Sequence, residues 1–333
     1  MKRVGWVAFL DAVAPGGRTE DLAELVRRAK TLGCTDIALR IGDAGNRDGG
    51  SHKQLKGGIW VPDPLVIDTL REAGFGIIVW LFEYAQYPTQ SRPIWLDWVR
   101  HADEACINAE FPYIAAGAGL ARGLVKDLRN MGYKKVTHAP PDYAGARGDG
   151  ALRILDEECD AIYPQVYWTE HDDSGPNHHL DNVLEGKGQA APGYKKRGLE
   201  NKTVPLGVTY RPNFRGSHRV GDRDIPTPLK PIGDKAVADM VVDFLKHPWA
   251  KAAEQSEHGL HFYSLDGLTF AGEGREAVLE AVQAYDAEQD PYKGAPYTGT
   301  PSMDPNYIQP VKTEVPNATD TVISLAEEDD DHS

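Results

Sequence analysis

Short apolar runs alternate along the chain with longer segments whose apolar residues recur every three to four positions. The runs read as buried strands and the periodic segments as amphipathic helices. The first strand is Val4 to Leu10, ending at Asp11. A helix follows over about Glu20 to Leu32, with Leu22, Leu25, Val26 and Ala29 on one face. "DIALRI", Asp36 to Ile41, is the second strand. The second helix covers Pro64 to Ala73, with proline in its first turn and Gly74 at its end. "GIIVWLFE", Gly76 to Glu83, is the third strand, and Ile94 to Glu104 the helix after it. The fourth strand lies in "ACINAEFPY", from Ala105, and its helix is Leu120 to Met131, stopped by Gly132. "KKVTHAP" is the fifth strand, followed by a short helix over Gly150 to Glu157. "AIYPQVYW", Ala161 to Trp168, is the sixth, with at most a turn near Asp181 to Leu184 where a helix belongs. "VPLGVTY", Val204 to Tyr210, precedes a helix at Lys235 to Lys246. "LHFYSLD", Leu260 to Asp266, precedes a last helix at Gly274 to Ala287.

Eight strands alternating with helices over residues 1–287 predict an α/β fold, a (β/α)8 TIM barrel. The strands are apolar nearly throughout, as strands covered on both faces are. A doubly wound sheet would want a Gly-rich dinucleotide turn after the first strand, and "DAVAPGGRTED" has no G-x-G-x-x-G. Helix-to-strand links such as "GCT" and "GYKK" are short, whereas residues 42–63, 169–203 and 211–234 form long strand-to-helix links. Elaboration on that side is where barrel enzymes place their sites. Residues 288–333 are rich in proline, lack helical period and end in Glu327-Glu328-Asp329-Asp330-Asp331. They read as an extended or disordered acidic tail, either a spare terminus or a strap for a partner subunit.

The chain has 333 residues and a net charge of −14, which argues against a nucleic-acid partner. No apolar run reaches the roughly 18 residues a membrane span needs, so no membrane role is expected. "MKRVGWVAFLDAVA" imitates a secretory signal, but Asp11 interrupts it and the first strand needs it. The expectation is no signal peptide, with synthesis in the cytoplasm and delivery to a wall through a virion or lysis. Cys34, Cys106 and Cys159 fit no zinc spacing and read as small buried residues. "EHDDSGPNHH", Glu170 to His179, reads as a solvated loop, not a metal site. No Walker loop or G-x-S-x-G elbow is present, and no cofactor or metal is expected.

Polar residues gather at the strand ends: Asp11, Arg40, Glu83, Asn108, Glu110, His138, Gln165, Tyr167, Tyr210 and Asp266, while lower strand positions read as apolar. In a barrel these ends form one mouth. Side chains alternate along a strand, so Cys106, Asn108 and Glu110 share a face, with Asn108 and Glu110 about 7 Å apart. A buried carboxyl there, beside Phe111, Tyr113 and Trp168, would be poorly solvated; its raised pKa would suit a general acid. Trp60, Tyr84, Tyr87, Tyr143 and Phe214 also fall at strand ends or in the following loops, where flat rings suit a sugar.

A barrel with Asp closing its first strand and Asn-x-Glu ending its fourth resembles known glycoside hydrolases. Family-25 muramidases and family-18 chitinases carry Asp-x-Glu there, and family-85 endo-β-N-acetylglucosaminidases Asn-x-Glu. The resemblance implies that Glu110 is the general acid and that Asn108 orients the substrate's 2-acetamido group. Asp11 then matches the first-strand Asp of the muramidases, and Tyr167 the sixth-strand Tyr of the chitinases. Asn108 departs from the muramidase pattern, and the fuller acidic run of the chitinases is absent. A second carboxylate would have to be Glu83, Asp11 or Asp266. The implied activity is hydrolysis of an N-acetylhexosamine polysaccharide, above all bacterial cell wall. Arg40, Glu83, His138, Gln165, Trp168, Tyr210 and Asp266 would contact the substrate. The alternative is a barrel that binds carbohydrate without cleaving it, or a structural one such as a phage tail component.

Overall fold

The computed structural model describes residues 1–8, 19–43, 63–83, 88–109, 118–141, 150–167, 175–186, 192–209, 216–220, 223–227, 233–265 and 274–289. Strands and helices alternate as β1 (Arg3–Val7), α1 (Thr19–Thr31), β2 (Asp36–Asp43), α2 (Pro64–Glu72), β3 (Gly76–Glu83), α3 (Pro88–Trp98), β4 (Glu104–Ala109) and α4 (Ala118–Met131). They continue as β5 (Lys135–His138), α5 (Gly150–Glu158), β6 (Ala161–Ile162), β7 (Gln165–Val166), α6 (Gly175–Glu185), β8 (Leu206–Val208), β9 (Gly216–Val220) and β10 (Arg223–Thr227). The last elements are α7 (Asp234–Lys246), α8 (Pro248–Gln255), β11 (Leu260–Tyr263) and α9 (Gly274–Gln289).

One sheet runs in the order β6-β5-β4-β3-β2-β1-β11-β8-β7, and every ladder in it is parallel. Its two edges, β6 and β7, are halves of one segment interrupted at Tyr163-Pro164. Isolated parallel bridges Pro141↔Gln165 and Ile162↔Thr203 tie each half to the neighbour of the other. The sheet therefore curls round until its ends meet in one segment, and the chain forms a (β/α)8 barrel. The antiparallel hairpin of β9 and β10 lies in the long link after β8.

Register fixes which side chains face inward. Trp6 lies beside Tyr263 and Ala38, Ala38 beside Ile78, Trp80 beside Cys106, and Cys106 beside Thr137. These positions line the interior. The alternate residues Val7, Leu39, Val79, Ile107 and Val136 pack under the helices, all 2% exposed or less. Helix punctuation follows the sequence where it is strong. Asp63 caps α2 by accepting from the Leu65 amide at 2.9 Å, Pro64 opens the helix, and Gly74 leaves it at φ +85°.

Three expectations change. The helix after β3 spans Pro88–Trp98, starting earlier than predicted, because its polar "PTQSR" start hides the period. A full helix, α6, stands where only a turn was expected, held by buried Leu180 and Val183 on one thin apolar stripe. The lower interior is not apolar. Glu104 pairs with Lys135 at 2.9 Å and accepts from Tyr163 Oη at 2.7 Å and Thr137 Oγ1 at 2.9 Å. The His261 ring packs against Tyr163, centroids 3.9 Å apart and planes tilted by 33°. This buried network satisfies its own donors and acceptors, which is the condition for keeping a carboxylate inside. Cys34, Cys106 and Cys159 are free and buried, and burial raises each thiol's pKa, that of Cys34 to about 12.

Candidate functional site

Asn108 sits near the C-terminal end of β4, beside Phe82 of β3 on the interior face, and is 7% exposed. Across the mouth, the chain leaves β6 at Tyr163-Pro164 and re-enters the sheet at Gln165. The Gln165 amide donates to the Pro140 carbonyl at 2.9 Å, which fixes the backbone there. The Gln165 side chain then reaches inward: Nε2 donates to Asn108 Oδ1 at 2.9 Å and to the Ala139 carbonyl at 3.0 Å. Two uncharged amides therefore meet at the mouth without placing a charge there.

The interior face also carries a cluster of aromatic rings. Tyr167, directly after β7, stacks on Tyr263 of β11 with centroids 5.3 Å apart and planes at 21°. Tyr263 meets Trp80 edge-on at 6.4 Å and Trp6 at 6.5 Å, and Trp6 lies 5.3 Å from Trp80. The Arg40 guanidinium lies 5.6 Å from the Trp80 ring centroid, within cation–π reach. Trp6 and Trp80 are 1% and 2% exposed and belong to the core, so the partly exposed Tyr167 and Tyr263 are the rings of this cluster that can face a ligand, and such rings suit the apolar face of a sugar.

Asn108, Gln165, Tyr167 and Arg40 thus share the interior side. Glu83 and His138 do not, which corrects their expected place at the mouth. Glu83 lies beside Ala109 on the opposite face, is 1% exposed, and accepts from Trp95 Nε1 of α3 at 2.8 Å. It borders a cavity of about 250 Å³ between α3 and α4 that Trp95, Leu120 and Leu124 also line. His138 lies beside Ile107 and is fully buried, with Nε2 2.8 Å from Asp156 Oδ1 on α5. Arg197 holds the other Asp156 oxygen at 2.5 Å. In each case the adjacent strand residue occupies the inward position: Phe82 for Glu83, Thr137 for His138.

Glu110, Asp11, Trp168, Tyr210 and Asp266 lie outside the described residues, as do Trp60, Tyr84, Tyr87, Phe111, Tyr113, Tyr143 and Phe214. Among the described residues no three His, Cys, Asp or Glu side chains converge as a metal site would require, and no helix is long and apolar enough to cross a membrane. Tyr263 is the site residue that sequence reading missed, because it lies within an apolar strand and reads as core; Trp6 and Trp80, on the same interior face, are core.

No protein-family model matches the sequence, and no curated protein does. In structure, the chain is similar to the GH18 chitinase ChiB from the chitin utilization locus of Flavobacterium johnsoniae. The identity is 12%, the match covers 86% of this chain and 94% of that one, and the TM-score is 0.50. The spore cortex-lytic enzyme SleL of Bacillus megaterium QM B1551 aligns at 11% identity over 84% of this chain and 73% of that one, with a TM-score of 0.48. At this identity the likeness to ChiB is one of fold.

Proposed function

We propose that this chain is a glycosidase acting on an N-acetylhexosamine polysaccharide, with bacterial cell wall the leading candidate. The observation that carries the reading is Asn108, inward-facing near the mouth end of β4 and hydrogen-bonded to Gln165, two residues before the Tyr167 that stacks on Tyr263. Glu110 follows two residues later in the sequence, where the glycosidases it resembles carry their general acid. In this reading Glu110 protonates the departing glycosidic oxygen, Asn108 holds the acetamido group, and Tyr167 faces the reacting sugar. Asp11 and Asp266 are the other carboxylates that the sequence offers for a second role. The shared fold with a chitinase agrees with the proposal, and no comparison lends support to a virion component.

The test is Glu110→Gln. The variant is expected to lose about 10²–10⁴-fold in the release of reducing ends from chitin oligosaccharides or peptidoglycan. Its thermal midpoint should stay within about 2 °C of the wild type, since the change is isosteric. Unchanged turnover in a folded Glu110→Gln protein would end the assignment.

A further inference from the structure

Both donor hydrogens of the Gln165 side chain are taken by the protein itself. The side-chain atom 3.0 Å from the Ala139 carbonyl oxygen must be a donor, because a carbonyl can only accept, and is therefore Nε2. Its other hydrogen goes to Asn108 Oδ1 at 2.9 Å. An amide nitrogen carries two hydrogens, so Gln165 has none left to give. What remains is Oε1, an acceptor with two lone pairs on the other limb of the planar amide. No described residue donates to it, and it is not among the buried polar atoms that lack a partner. The 9% of Gln165 that stays exposed therefore includes Oε1. Reversing the amide would set Oε1 against the Ala139 carbonyl, acceptor against acceptor, with little water to relieve it. The backbone holds the residue in place. Its own amide is bonded to Pro140, and the backbone amide of Tyr163, two residues earlier, donates to the His138 carbonyl at 2.8 Å.

We propose that Gln165 Oε1 is a fixed acceptor on the β7 side of the mouth, and that it receives a hydrogen from a sugar hydroxyl or an acetamido N–H. The inference rests on the reading of the mouth as a carbohydrate site. Tyr167, two residues further on and on the same interior side, is partly exposed and stacks on Tyr263. A pyranose that lays its apolar face on such a ring carries its hydroxyl and amide hydrogens around its edge, where they need acceptors. Gln165 meets that need and has no donor for the oxygens of a carboxylate or a phosphate, which can only accept. The residue thus selects for a neutral, donor-bearing sugar edge and against an anionic substituent at this point.

The test uses the full chain with isotope-labelled glutamine, read by NMR, and an N-acetylglucosamine oligosaccharide as the probe. In the free protein both Gln165 Nε2 hydrogens should exchange at least about tenfold more slowly than those of an exposed glutamine. Saturating oligosaccharide should move the Gln165 side-chain carbonyl carbon downfield, as accepting a hydrogen bond does, while both Nε2 hydrogens stay protected. Gln165→Met, which keeps the length of the side chain and removes the acceptor, should bind the oligosaccharide about tenfold more weakly, the worth of one hydrogen bond. Release of either Nε2 hydrogen on binding, a carbonyl carbon that does not move, or wild-type affinity in Gln165→Met each overturns the acceptor role and leaves the carbohydrate site standing. Weaker binding by Gln165→Met with no movement of the wild-type carbon would mean a structural role only, and overturns it too. Where Gln165→Met does not fold, the wild-type carbon decides alone. A wild-type chain that does not bind the oligosaccharide overturns the carbohydrate reading, and the acceptor role with it.

Discussion

Protonating His261 would cost the barrel a hydrogen bond that its interior cannot replace. Trp6 Nε1 donates to His261 Nδ1 at 2.9 Å, so that nitrogen carries no proton, and Nε2 faces the His258 carbonyl at 3.2 Å. The ring is fully buried, and burial holds its pKa well below the usual 6.5. In the unfolded chain His261 takes up a proton near that usual value; in the folded barrel it does not. Below pH 6.5 the unfolded state therefore binds more protons, and stability falls with pH by up to about 1.4 kcal/mol per unit from this residue. His261→Gln keeps an acceptor and a donor but does not titrate. Urea denaturation between pH 6.5 and 5 should show a slope shallower by about one proton in the variant; equal slopes would refute the assignment. Side-chain direction is also where the sequence was hardest to read. A strand covered on both faces shows no alternation of apolar and polar residues. Glu83 and His138 therefore looked as much like mouth residues as Asn108 and Gln165 did. Cys106 supplied the parity of β4, and β3 and β5 offered no such marker.

The elements themselves were legible because a parallel barrel writes a strong rhythm. Each of the eight strand segments shows as an apolar run bounded by turn residues, and most helices show in period and caps. What escaped was structure with weak local signal: α6 with its thin stripe, the β9–β10 hairpin, and α8, whose "PWAKAAEQ" buries Trp249, Ala250 and Ala253. Those elements are held by tertiary contact, and β1 shows how. Arg3 points outward from the strand and is 3% exposed. Its guanidinium bonds Glu254 of α8, the Leu32 carbonyl after α1 at 2.9 Å, and both oxygens of Asp286 on α9 at 2.7 and 2.6 Å. Burial opposes its charge, and the two carboxylates more than offset this, so its pKa is raised. Arg3→Met would leave Glu254, itself 7% exposed, without its cation. The expected loss is about 3–5 kcal/mol in urea unfolding, the usual result of breaking a buried pair. Asp286→Asn, at a partly exposed site, should cost about 1 kcal/mol or less. Similar effects of the two would mean that the clasp does not depend on burial.

Closing a ring of strands makes stability a property of the whole circuit, and α9 is the last part of it. The helix packs on α7 and α1 and buries Val278, Leu279, Val282 and Tyr285, while Asp286 reaches Arg3 on the first strand. The first and last elements are thereby joined outside the sheet as well as through the β1–β11 ladder. Removing four such side chains from water contributes about 6–12 kcal/mol, comparable with the entire stability of an ordinary domain. A chain ending at Glu273, just before α9, should therefore fail to fold. A chain ending at Asp290 keeps the whole compact unit Met1–Asp290. It loses eight carboxylates against Lys293 and Lys312, which takes the net charge from −14 to −8 and relieves like-charge repulsion. Its thermal midpoint should lie within about 2 °C of the full chain, with a single cooperative transition by calorimetry. A midpoint lower by about 5 °C or more would mean that residues 291–333 stabilise the barrel, and a folded chain ending at Glu273 would mean that the ring holds without its final helix.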